Sequence, residues 1–75
     1  MSDAPPATSL ASIRRRHLLS QRALASKASV ALSTIYLIEA GKTERTTFKV
    51  MRSVSDALGV PPESIAEFRR AIGAD

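Results

Sequence analysis

Between Ser20 and Gly41 the chain reads SQRALASKASVALSTIYLIEAG, two short helical stretches with almost nothing between them. Two helices of seven to nine residues joined by a three- or four-residue turn pack closely only if particular positions are small or apolar. This segment supplies those positions. Ala25 is small midway along the first stretch, where the second must cross it, and Val30 can plug the turn. Ile35 and Ile38 lie about 60° apart on a helical wheel and point to one side. Ser20 is placed to cap the first stretch, and Gly41 follows the second, where a positive φ is cheap for glycine. This pair of helices fixes most of what the rest of the chain can do.

The flanking sequence extends the same pattern. Ser9 caps an expected helix over 10–17, with Leu10 and Ile13 on its apolar face. The central pair spans 21–27 and about 32–40. Thr46 or Thr47 caps a fourth helix over 48–58, with Phe48, Met51, Val54 and Leu58 inward and Gly59 closing it. Pro62, at a first helical position, opens a fifth helix to about residue 72, whose Ile65, Phe68 and Ile72 share a face. No segment alternates with period two, so no strand is expected. The expected fold is all-α, a compact five-helix bundle over 9–75. Residues 1–8, with Pro5 and Pro6, read as a disordered arm.

Several function classes are excluded or disfavoured at this level. Seventy-five residues make one small domain, and there is no cysteine and only one histidine. Disulfides and thiolate metal sites are excluded, and a conventional zinc site is disfavoured. No nucleophile–base pair, paired carboxylates at helical spacing or phosphate-cradling glycine loop is evident, so neither an enzyme nor a cofactor is expected. No apolar run approaches the length of a membrane span, and MSDAPPATS lacks the features of a secretory signal. A soluble, cytoplasmic protein with no small-molecule ligand is expected. The net charge of +4 is unevenly placed: residues 10–52 carry nine basic residues against Glu39 and Glu44, a net +7. A basic segment in an otherwise balanced chain is the footprint of phosphate binding, although a solvated basic surface would have the same composition.

The motifs LSQRALASKA, STIYLIEAGKT and SDALGV occur in order and almost without gaps. Over residues 10–60 the chain resembles the phage-repressor family of helix-turn-helix domains, the lambda-repressor-like, Cro or Xre type. That resemblance implies a lambda-repressor-like fold and double-stranded DNA as partner. It matches Leu32, Ser33, Tyr36, Leu37 and Ala40 to recognition-helix positions facing the major groove, and Thr34 adds a hydroxyl there. Gln21 matches a phosphate or base-edge contact, and Lys42, Thr43 and Arg45 match backbone contacts. Lys49, at the start of the fourth helix, is a further backbone candidate. Arg14 and Glu39 match an internal salt bridge, which would account for an acid on a helix meant to approach DNA. A 75-residue monomer has too small an interface for tight selective binding, so a homodimer is expected, with half-sites about 34 Å apart, and the resemblance points to the fifth helix as its surface.

The chain departs from the family pattern at three points. Ser29 stands where glycine is usual, at a cost of about 1–2 kcal/mol if the backbone there is left-handed. Ala31 replaces the Ser or Thr cap of the recognition helix, a loss of about 1 kcal/mol unless Ser29 supplies it. The exposed side of that helix also carries no amide or guanidinium, so bidentate pairing with guanine or adenine is not available from it. What remains is hydroxyl hydrogen bonding and apolar contact with thymine methyls. A second reading follows from the same face: an antitoxin- or adaptor-like module that binds protein through Leu32, Tyr36, Leu37 and Ala40.

Overall fold

The computed structural model describes residues 7–73. Among them are five α-helices: α1 (Leu10–Arg16), α2 (Gln21–Ala28), α3 (Leu32–Glu39), α4 (Phe48–Leu58) and α5 (Ala66–Ala71). Three of the caps read from the sequence form. The hydroxyls of Ser9, Ser20 and Thr47 accept from the backbone N–H of Ser12, Ala23 and Val50, at 3.2, 3.0 and 3.2 Å. Each satisfies one of the donors that a helix start leaves over. Thr47, not Thr46, is therefore the α4 cap. α3 has no side-chain cap, and Ala31 stands at that position with extended backbone. Ser29 does not replace it. Its own backbone is left-handed, φ 58° and ψ 42°, closing α2.

The core is one apolar cluster fed by every helix. Leu10 and Ile13 of α1, Leu24, Ala25 and Ala28 of α2, and Ile35 and Ile38 of α3 meet Met51, Val54 and Leu58 of α4, with Ile65 and Phe68. Ala25 is buried and Val30 packs on the cluster, as the tight turn requires. Ser55 is buried among these side chains, and its hydroxyl donates to the Met51 carbonyl at 2.7 Å. The α-helical i to i−4 bond removes the desolvation penalty of the hydroxyl.

The C-terminal third corrects the sequence expectation. A continuous helix over 62–72 does not form. Residues Pro62–Ser64 make one 3-10 turn, Ile65 is extended, and α5 begins at Ala66. The cause is a non-local pairing. Thr8 donates to the Ser64 carbonyl at 3.0 Å and accepts from Ala66 N–H at 2.9 Å, a parallel bridge to Ile65. Glu67, also buried, accepts from the Leu10 backbone N–H at 2.9 Å. Thr8 is thus tied to the domain and is not part of an arm, while residues 1–6 of the expected arm lie outside the described residues. One inward assignment also fails, since Phe48 is 74% exposed, and Ile72, on the apolar face of the expected fifth helix, is 41% exposed. Both hold the right helical phase, but no further layer covers them.

Candidate nucleic-acid interface

α3 is oriented by a charged cluster on its inner flank. Arg14 Nε donates to Glu39 Oε2 at 2.7 Å, and Nη2 donates to Oε1 at 3.1 Å. Its third arm, Nη1, donates to the Leu19 carbonyl at 2.9 Å. The side chains of Arg14 and Glu39 are only 11% and 9% exposed. The fork geometry makes this a bidentate, charge-assisted pair. The hydrogen bond it donates to Glu39 raises the Arg14 pKa above its ordinary value, against the desolvation that lowers it. An arginine with a raised pKa stays charged until pH climbs through that value, so its own contribution is lost only on the alkaline side. The salt bridge suggested by the family resemblance therefore forms, and it turns the acid of α3 away from solvent.

Gln21 joins the same cluster. Its Nε2 donates to Glu39 Oε1 at 2.9 Å, so part of the amide expected at phosphate is used inside the domain. The cluster ties the α1 terminus, the start of α2 and the end of α3 together at one place.

The outer face of α3 is apolar and hydroxylic. Tyr36 is 62% exposed, Leu37 40% and Leu32 37%. Ser33 and Ala40 are exposed beside them, whereas Thr34 is half-buried. Ile35 and Ile38 face fully inward. Immediately after α3 the backbone doubles back. Gly41, at φ 80°, donates to the Ile38 carbonyl, and Lys42 donates to that of Leu37, at 3.0 and 2.9 Å. This places Lys42 and Arg45, both exposed, beside Leu37. Together with Glu44 they line a shallow hollow of about 270 Å³. Thr43 is half-buried, and Lys49 and Arg52 are exposed on the first turns of α4.

Sequence reasoning missed two features of this region. One is Glu44, which shares the hollow with Leu37; its position in a loop gave no periodic signal. The other is Leu18, left-handed at φ 58° and 92% exposed, at the junction between α1 and α2. No glycine marks that junction, so the sharp reversal there was not visible.

No helix among the described residues is long and apolar enough to cross a membrane. Comparison with curated proteins and with solved structures gave no match. A family model described as helix-turn-helix matches residues 10–65, from the first residue of α1 to the bridge at Ile65. With Ala25 buried between the paired helices' core side chains, α2 closed by Ser29 and the third helix held by Arg14 and Glu39, the chain belongs to the phage-repressor-like, Cro and Xre type helix-turn-helix family of DNA-binding regulators.

Proposed function

We propose that the protein is a sequence-specific regulator that binds double-stranded DNA as a homodimer, with α3 in the major groove. The observation that carries this reading is the outer face of α3. Its only acid is paired inward with Arg14, and the exposed cations Lys42 and Arg45 follow it directly. A major groove about 12 Å wide admits one α-helix. In that position Ser33, Tyr36, Leu37 and Ala40 face base edges, with Leu32 and Thr34 at the margin. Lys42, Thr43, Arg45 and Lys49 lie toward the phosphates, and the remaining donor of the Gln21 amide joins them. Ile65 and Phe68 are fully buried, so they cannot form the dimer contact. A surface open to a second copy is the groove between α4 and the Pro62–Glu63 turn, with Phe48 and Ile72 among its lining residues.

The test is a titration of random-pool duplex DNA over a salt series, followed by sequencing of the retained fraction. Regulator binding gives a steep fall of log K with log salt and an enriched two-fold motif, because neutralised phosphates release counterions. A flat slope with no enrichment refutes it. The exposure of Leu32, Tyr36 and Leu37 favours the rival, a protein-binding module of the same fold. It predicts that flat slope.

A further inference from the structure

We infer that residues 1–6 of the chain seat in the groove beside the start of α4 and cover Phe48 and Ile72. The groove, of about 400 Å³, is lined by Phe48, Met51, Arg52, Pro62, Glu63 and Ile72. Phe48 is 74% exposed and Ile72 41% exposed, and contiguous open apolar side chains of this kind mark a contact surface. Among the described residues no layer lies over them.

The direction of the chain points to the occupant. Thr8 donates to the Ser64 carbonyl at 3.0 Å and accepts from the Ala66 N–H at 2.9 Å, a parallel bridge to Ile65. In a parallel pair both segments run the same way, so the chain before Thr8 leads back along Glu63 and Pro62, one wall of the groove. Backbone pairing cannot continue there. Pro5, Pro6 and Pro62 have no N–H, and the Ser64 N–H already donates to the Pro61 carbonyl at 3.0 Å. Side chains must therefore hold the segment, and its composition suits that. Met1, Ala4, Pro5 and Pro6 are apolar, and a buried proline leaves no N–H without a partner. Asp3, the one charged side chain of the segment, complements the exposed Arg52 on the groove wall. Glu63, the acid of the groove, falls opposite residue 6 in the register set by Thr8 and Ile65, three positions from Asp3. Six residues extend to about 20 Å, enough to cross the groove. The segment and a second copy then compete for one surface, so residues 1–6 hold back self-association.

The experiment is nuclear Overhauser spectroscopy on the full chain. Contacts are expected between the ring protons of Pro5 and Pro6 and those of Phe48 and Ile72, within one chain. Deleting residues 1–6 spares Thr8 and its bridge. It should shift the amides of Phe48, Met51 and Ile72 and leave those of Tyr36 and Leu37 in place. Absence of the contacts, with the groove amides unmoved by the deletion, overturns the inference. Contacts that appear only between chains, in an isotope-filtered mixture of labelled and unlabelled protein, overturn it as well, because the segment then lies on a second copy. The deletion should also tighten self-association measured by sedimentation. A truncated chain that stays monomeric while the intrachain contacts hold supports the seating of the segment and refutes the groove as a dimer surface. None of these outcomes depends on DNA binding.

Discussion

α3 and α4 follow one another in the chain and share one core, yet they are built by opposite rules. α4 is capped at its start by Thr47, closed by Gly59 and buries Met51, Val54, Ser55 and Leu58. α3 has no side-chain cap, buries only Ile35 and Ile38, and leaves Leu32, Tyr36 and Leu37 exposed. The turn before it is held left-handed by a serine. α4 satisfies local preference and tertiary packing together. α3 satisfies packing on one side and is held in place by Arg14 through Glu39. Departures from local preference of this kind collect where a surface serves something other than stability.

The largest effect should come from cutting the support of α3. Glu39→Ala leaves the Arg14 guanidinium mostly buried without its carboxylate and should cost about 3 kcal/mol in denaturant unfolding. A loss under about 1 kcal/mol would mean that α3 does not depend on the pair. Next, the cap comparison can be inverted. Thr47→Ala should destabilise by about 1 kcal/mol, whereas Ala31→Ser should stabilise by a similar amount, both read from denaturant midpoints. If Ala31→Ser is neutral, the start of α3 is not limited by its missing cap. Smaller again are the left-handed positions. Ser29→Gly and Leu18→Gly should each stabilise by up to about 1 kcal/mol, because glycine relieves the left-handed penalty but adds unfolded-state entropy. On the functional side, Arg45→Ala should weaken binding to all duplexes about equally and lower the salt slope by about one.

What could be read from the sequence follows the same division. The caps at Ser9 and Ser20, the α4 cap to within Thr46 or Thr47, and the core positions Ile35, Ile38, Val54 and Phe68 were legible, because helix starts and apolar periodicity are local chemistry. The break at Ile65 was not, since it depends on Thr8, more than fifty residues away in sequence. Phe48 and Ile72 had the correct phase but no layer to bury them, which periodicity alone cannot reveal. Glu67 is buried because the Leu10 N–H is there to donate to its carboxylate. For the site, the exposed face of α3 was legible from helical phase, and the Arg14–Glu39 pair only through family resemblance. The use of Gln21 inside that cluster was not legible. A side-chain amide has several possible partners, and only the packed geometry selects one.

On the proposed reading, the outer face of α3, with the loop after it, is the surface that meets DNA. Amide chemical-shift mapping of isotope-labelled protein during titration with duplex DNA tests it most directly. Saturable shifts are expected to concentrate at Ser33, Tyr36, Leu37, Ala40, Lys42 and Arg45, with the buried side of α4 unmoved. Shifts confined to the groove around Phe48 and Ile72, with α3 silent, would contradict it.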